Sequence, residues 1–210
     1  MLTPRLFSRA ALLCLIAGYV DIIGYIDLGG VFAANMTGNS VLLVLAMVRG
    51  EAARSASYLL TLSAFLAGAI AAAALRRVTR RPVLPLVGAA LLVALAALAH
   101  LPPNWELPVL AFGMGLQGAA ITRFGPTSLQ TVVVTGTMIR LADNLVAQAM
   151  PERGESTASA TRLDALAWFA YVAGAALAMA AQHAMAQPLI LGAAALLGVA
   201  AETATERRAR

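Results

Sequence analysis

The chain has 210 residues, of which 60% are hydrophobic and 12% charged, and its mean hydropathy is +0.81. A soluble domain of this length needs more polar residues to cover its surface, so the composition excludes that class and indicates an integral membrane protein in contact with a lipid bilayer. The 15 basic residues are all arginines, and the net charge is +5. They lie at the ends of apolar segments, where they orient membrane helices, and we expect no nucleic-acid partner.

Apolar segments of spanning length follow one another along the chain, separated by charged or Pro/Gly-rich stretches. We predict helices at residues 8–28, 31–49, 57–76, 83–100, 106–123, 127–149, 163–183 and 187–202. The last segment is short, so the expected number of helices is about eight, with six as the lower bound. The predicted fold class is all-α, a polytopic transmembrane helical bundle.

Three short sequence similarities occur in the same order in the two halves of the chain. TGNSVLL at 37–43 resembles TGTMIRL at 135–141, FLAGA at 65–69 resembles YVAGA at 171–175, and PLVGAALL at 85–92 resembles PLILGAAALL at 188–197. We interpret them as two four-helix repeats, residues 1–103 and 104–210, within one integral membrane domain. An even number of spans in each repeat would make the two repeats parallel in the membrane.

The arginines conflict with eight crossing helices. With the N-terminus inside, nine arginines fall on the cytoplasmic side and five outside, and RRVTRR at 76–81 is the main violation of the positive-inside tendency. We expect both termini in the cytoplasm. Either an early segment is re-entrant, or the charge bias is overruled at this loop.

Polar residues interrupt the first two predicted helices. A charged side chain at membrane depth costs about 2.5–3.5 kcal/mol on insertion scales, so each one needs a partner or a wet cavity. Asp21 is deep in its segment, and it acts either as a proton carrier or as a hydrogen-bonding group between helices. The stretch NMTGNS follows at 35–40, between two apolar runs.

The second half carries its own polar residues. Matching IDLGG with TRFGP aligns Asp21 with Gln117 and Asp27 with Arg123, so Asp27 and Arg123 are a candidate ion pair. That pair would be a structural clasp or a gate, unless both side chains reach the headgroups separately. Arg140 precedes Asp143 by three residues, which permits an intrahelical ion pair, and the alternative is an anion contact by Arg140.

The two Thr-Gly dipeptides at matching positions indicate a central site. Glycine in a membrane helix permits close helix approach or local unwinding, and paired breaks of this kind mark binding sites in repeat transporters. The simpler alternative is a tight helix crossing. The candidate substrate-binding residues are Asp21, Asn35, Thr37, Gly38, Asn39, Gln117, Thr135, Gly136, Thr137 and Arg140.

Catalytic and metal-binding patterns are weak. Cys14 is the only cysteine, so a disulfide framework or a cysteine metal site is excluded, and we expect no metal and no cofactor. Ser40 and Asp21 would be the residues of an intramembrane enzyme, but His100 and His183 lie at segment ends, and the known hydrolase and nucleotide-binding patterns do not occur. We therefore do not expect an enzyme.

The segments VDIIGYIDLGGVFAANMTGNSVLL, FGMGLQGAA and VVVTGTMIRLAD resemble the YoaK-like family of small multi-pass bacterial membrane proteins, a domain of unknown function. The resemblance extends from about residue 10 to 200 and includes the candidate residues above except Arg140. It implies a bacterial inner-membrane location and no established substrate.

Two main function hypotheses remain, and they belong to different classes. One is a small-molecule or ion transporter with its site between the repeats, near the Thr-Gly motifs. The other is a noncatalytic membrane subunit or scaffold. Both are compatible with a homo-oligomer.

Overall fold

The structure is a computed structural model that describes residues 4–79, 81–99, 101–121, 123–124, 127–128, 131, 134–149 and 158–208, with the backbone alone at 123–124, 127–128, 134, 149 and 206–208. This part of the chain forms eight helices: α1 (Pro4–Asp27), α2 (Met36–Val48), α3 (Ala52–Thr79), α4 (Val83–Leu98), α5 (Pro103–Ala120), α6 (Val134–Ala149), α7 (Ala158–Ala184) and α8 (Leu189–Arg208). Two two-residue strands, β1 (Arg123–Phe124) and β2 (Thr127–Ser128), pair antiparallel. The predicted all-α helical bundle is confirmed.

Three described helices, α1, α3 and α7, are long and apolar enough to cross a membrane. Shorter apolar helices occupy Met36–Val48, Val83–Leu98 and Leu189–Thr205. The predicted starts of the second and sixth helices, at residues 31 and 127, are too early, because α2 begins at Met36 and α6 at Val134.

Helices α1 and α7 run parallel, and α8 runs antiparallel to both. Gln182 near the end of α7 donates a 2.8 Å hydrogen bond to Asp27 at the end of α1. Arg9 and Glu202 form an ion pair at 3.8 Å, which brings the start of α1 beside the last turns of α8. We call this end of the bundle the terminal end, and the opposite end, at Asp27, the far end.

Helices α3 and α5 run antiparallel to α1. Gln117 near the end of α5 donates a 2.8 Å hydrogen bond to the carbonyl oxygen of Leu13, near the start of α1. At the far end, one cavity is lined by Leu28 together with the first turns of α3 and α5, from Ala53 and from Pro103 onwards. Helix α4 packs antiparallel on α5, so α1, α4 and α7 run towards the far end and α3, α5 and α8 run back.

Helix α2 does not cross the bundle. Helix α1 ends at Asp27, and Gly29 and Gly30 follow it with φ angles of 83° and 82°, which favour glycine. The chain then folds back, so that the backbone N–H of Ala34 donates a hydrogen bond to Asp21. Asp21 lies six residues before Asp27, about 9 Å below the far end at 1.5 Å per residue. From there α2 returns to the far end, where α3 begins.

Helix α6 returns in the same way to the terminal end. It packs antiparallel on the start of α7, with Arg140 bonded to Asp164 and Gln148 donating a hydrogen bond to Thr161. With α2 and α6 turning back, each half contributes three helices that run from end to end, so α1 and α5 are antiparallel. The sequence predicts parallel repeats, and the antiparallel arrangement of α1 and α5 differs from that prediction, because apolar content and length do not show whether a helix crosses the bundle or turns back.

Four glycines allow the closest helix contacts in the bundle. A Cβ atom at Gly18 would lie 2.1 Å from the carbonyl oxygen of Tyr171, and one at Gly174 would lie 1.9 Å from that of Leu15. The same arrangement joins α3 to α5, where Gly68 faces Phe112 and Gly115 faces Phe65, each at 2.1 Å. Only residues without a side chain permit such backbone approach.

Candidate functional site

The carboxylate of Asp21 joins three parts of the chain. The residue is 1% exposed. Its Oδ1 accepts hydrogen bonds from the backbone N–H groups of Ala34 at 2.6 Å and Asn35 at 3.1 Å. Its Oδ2 accepts a bond from the Tyr171 hydroxyl at 2.6 Å. The side chain therefore holds α7 and the extended segment before α2 against α1.

The other polar residues of NMTGNS bond mainly to the local backbone. Asn35 caps α2 by accepting a 3.1 Å hydrogen bond from the N–H of Gly38. Asn39 is fully buried, accepts a bond from the N–H of Phe32 at 2.9 Å and donates one to the carbonyl oxygen of Phe32 at 2.7 Å. These bonds hold the non-helical segment before α2 in position. Thr37 is exposed at the second position of α2.

A second polar cluster holds α6 against α7. Arg140 Nε and Nη2 donate to Asp164 Oδ1 at 3.2 and 3.0 Å, and Nη2 also donates to Thr137 Oγ1 at 3.0 Å. Asn144 donates to Asp164 Oδ2 at 3.1 Å. Asp164 is fully buried, whereas the Arg140 side chain is 37% exposed. Since both carboxylate oxygens are satisfied, the buried charge is compensated.

This cluster corrects the predicted pair of Arg140 with Asp143. Arg140 and Asn144 both face α7 and share Asp164, while Asp143 is exposed on α6. Residues four apart lie on one helix face, so α7 meets the side that Arg140 and Asn144 share. The ion pair is therefore between helices and not within one.

The remaining candidate residues lie in several places. Asp27 accepts its hydrogen bond from Gln182, and the side chain of its predicted partner Arg123 lies outside the described residues. Gln117 is fully buried and donates to Leu13, which ties α5 to α1. Thr135 is exposed, and Gly136 is half-buried at the first turn of α6. The described residues do not bring Gln117 or the α6 cluster into contact with Asp21.

The glycine contacts shift the expected correspondence between the halves by one residue. Gly18 faces Tyr171, which lies three residues before Gly174 of α7. In the same way, Gly115 faces Phe65, which lies three residues before Gly68 of α3. With Gly18 matched to Gly115, Asp21 corresponds to Gly118 and not to Gln117. Gly118 and Phe65 then occupy the positions that match Asp21 and Tyr171. Neither has a polar side chain, so the hydrogen bond between the carboxylate and the hydroxyl has no counterpart.

Sequence reasoning missed two functional candidates, Tyr171 and Asp164. Tyr171 begins the motif YVAGA, whereas Phe65 begins the similar motif FLAGA. The extra hydroxyl of Tyr171 is the feature of the sequence that could have indicated a polar contact. Asp164 is the only acid within α7, and an acid in an apolar helix indicates a partner. Among the described residues, no group of three or more His, Cys, Asp or Glu side chains could hold a metal ion.

Apolar helices with buried, internally compensated polar clusters and close glycine contacts define this chain as a helical integral membrane protein. Over residues 9–202 it matches the family described as "protein of unknown function (DUF1275)", and it belongs to that family. It is 33% identical over 177 residues to the UPF0700 transmembrane protein YoaK of Bacillus subtilis (strain 168), across 79% of each chain. No solved structure matches it. The predicted family resemblance is confirmed.

Proposed function

We propose that the chain is a multi-pass protein of the bacterial inner membrane, with six crossing helices, two re-entrant segments and cytoplasmic termini. The arginines support this topology. Of the eleven with a described backbone that lie near helix ends or in connections, two belong to the far end and nine to the terminal end: Arg49 and Arg54 against Arg5, Arg9, Arg76, Arg77, Arg81, Arg123, Arg162, Arg207 and Arg208. Cytoplasmic segments carry such an excess of arginine. With six crossing helices, α3 ends in the cytoplasm, so the RRVTRR segment at 76–81 agrees with the positive-inside tendency.

Cysteine labelling distinguishes this topology from eight crossing helices. In a Cys14→Ala background, we expect a Glu51→Cys variant to react with a membrane-impermeant maleimide in intact cells, and an Arg77→Cys variant to react only after lysis. Eight crossings with the N-terminus inside require the opposite pattern, because α2 would then bring residue 51 to the cytoplasm. The cysteine-free chain is the labelling control, and reaction of Arg77→Cys in intact cells would reject the six-crossing arrangement.

We further propose that the protein is a small-molecule or ion transporter whose polar path lies between the first turns of α2 and α6. The observation that carries the proposal is the pair of short helices that begin inside the bundle and run to opposite ends. Broken helices of this kind, related by an inverted repeat, form the binding sites of many transporters. The first turn of such a helix carries partial positive charge, which favours polar or anionic ligands.

The matched helix contacts support an inverted repeat. The Gly18–Tyr171 contact has its counterpart in Gly115–Phe65, and the contact of Gly174 with Leu15 has one in Gly68–Phe112. Because α1 and α5 run antiparallel, the operation that relates residues 1–103 to 104–210 is a two-fold axis in the membrane plane. In the proposed arrangement, this operation would make Thr37-Gly38 of α2 equivalent to Thr135-Gly136 of α6.

Solute entry into proteoliposomes tests the transport function. We expect at least one solute of a panel of glycerol, urea, formate, acetate, chloride and nitrate to enter faster than in protein-free liposomes, measured by stopped-flow light scattering. We expect the Thr37→Val and Thr135→Val double variant to change that rate, since both exposed hydroxyls are replaced by methyl groups of similar size. Ser40→Ala is the matched control, because the Ser40 hydroxyl donates to the Met36 carbonyl within α2 at 2.8 Å. Entry at the protein-free rate for every solute would contradict the proposal.

A further inference from the structure

We propose that the end of α3 and the start of α4 form a binding site for an anionic phospholipid of the cytoplasmic leaflet, with Arg76, Arg77 and Arg81 as the headgroup ligands. The site lies away from the re-entrant helices, and it does not depend on transport. Its cytoplasmic location rests on the proposed topology.

The length of α3 brings these arginines to the headgroup level. Its 28 residues span about 42 Å at 1.5 Å per residue, whereas the hydrocarbon core is about 30 Å thick. Tyr58 lies at the far end, where its hydroxyl donates to the Gly30 carbonyl oxygen at 3.2 Å. Arg76 and Arg77 lie in the last turn, at the opposite boundary of the bilayer.

The positive charge of this segment is not neutralised locally. Residues 52–105 contain no Asp or Glu. Within the described part of the chain, Arg76, Arg77 and Arg81 make no ion pair, and the Nε of Arg76 is buried without a hydrogen-bond acceptor. Glu202 lies at the same end of the bundle, but it is paired with Arg9. A buried guanidinium N–H without an acceptor is costly, and a phosphate oxygen is its preferred partner.

Apolar side chains beside the arginines favour a lipid over a free anion. Val78 is 83% exposed between Arg77 and Arg81, and Leu84 in the first turn of α4 is also exposed. Exposed apolar side chains next to guanidinium groups at the bilayer boundary suit a ligand that joins an anionic headgroup to acyl chains. Anionic lipids bind basic clusters at the cytoplasmic ends of membrane helices, with a contribution that corresponds to about fivefold in affinity per arginine.

The amount of anionic phospholipid that the purified protein retains tests this site. The full chain is purified from membranes in a mild detergent, exchanged into mixed micelles of phosphatidylglycerol and phosphatidylcholine, and examined by native mass spectrometry. We expect wild-type protein to retain phosphatidylglycerol selectively. We expect the Arg76→Gln, Arg77→Gln, Arg81→Gln triple variant to lose about a hundredfold in affinity, as three contributions of about fivefold multiply. Arg49→Gln with Arg54→Gln removes charge at the far end, and we expect this control to bind as the wild type does.

Single arginine variants and competition by inorganic phosphate test the proposal further. Should the triple variant not purify as a folded protein, the single variants at the exposed residues Arg77 and Arg81 are each expected to weaken retention about fivefold. Equal retention by the wild type and the arginine variants, or an equal loss in the far-end control, would overturn the proposal. Inorganic phosphate is expected not to compete at millimolar concentration, and full competition would identify a free-anion site instead of a lipid site.

Discussion

A Gly174→Ala variant is expected to lower the unfolding temperature of the purified protein by about 10 °C. The added methyl group would lie 1.9 Å from the carbonyl oxygen of Leu15, which is far inside van der Waals contact. Neither atom is at the end of a flexible side chain, so α1 and α7 must separate. Overpacking of this kind costs about 3 kcal/mol, and in a chain of this size 1 kcal/mol corresponds to about 2–4 °C.

Gly198→Ala is the matched control. Gly198 also lies in a helix, α8, but a Cβ atom there would meet nothing within 4 Å. Since Ala is favoured over Gly by about 1 kcal/mol inside a helix, this variant is expected to unfold at the same temperature or slightly higher. Both are measured by loss of the monodisperse peak after heating in detergent. A Gly174→Ala protein as stable as Gly198→Ala would show that the two helices do not approach through this glycine.

Composition and the charged or Pro/Gly-rich stretches between apolar runs predicted the number of helices, because each helix must be apolar along most of its length in lipid. The same signals could not give the direction of α2 and α6. The turn that reverses the chain before α2 depends on Asp21 accepting bonds from Ala34 and Asn35, a contact between residues about four helical turns apart in sequence. Such a contact leaves no periodicity in the sequence.

The sequence indicated some of the polar residues that surround Asp21 and Arg140, but not all of their partners. The polar stretch around Gly38 was visible because amides and hydroxyls are rare in an apolar segment. The partner of Arg140 was not, because Asp143 and Asp164 are both carboxylates, and only the packing of α6 on α7 selects Asp164. The proposed match between the two halves likewise rests on the glycine contacts and not on the short motifs.

Replacement of Asp21 by alanine is also expected to lower the free energy of unfolding strongly. In an Asp21→Ala variant, the N–H groups of Ala34 and Asn35 and the hydroxyl of Tyr171 lose their acceptor. Asp21 is almost fully buried, and a buried donor without an acceptor costs about 1–3 kcal/mol, so the loss of the acceptor of these three donors should cost about 3–9 kcal/mol. Hydrogen exchange should show it locally, as faster exchange of the amides of residues 31–36 than in the wild type.

Tyr171→Phe separates the two contacts of the carboxylate. This variant removes one donor and leaves the bonds from Ala34 and Asn35 to Oδ1, so it should cost about 1–2 kcal/mol and leave exchange in the segment before α2 nearly unchanged. Asp21→Asn keeps one acceptor oxygen and should fall between the two variants. If Asp21→Ala and Tyr171→Phe behaved alike, the carboxylate would serve only to join α1 to α7. A larger effect of Asp21→Ala, confined to the segment before α2, would mean that Asp21 positions the first turn of α2 and with it Thr37 and Gly38.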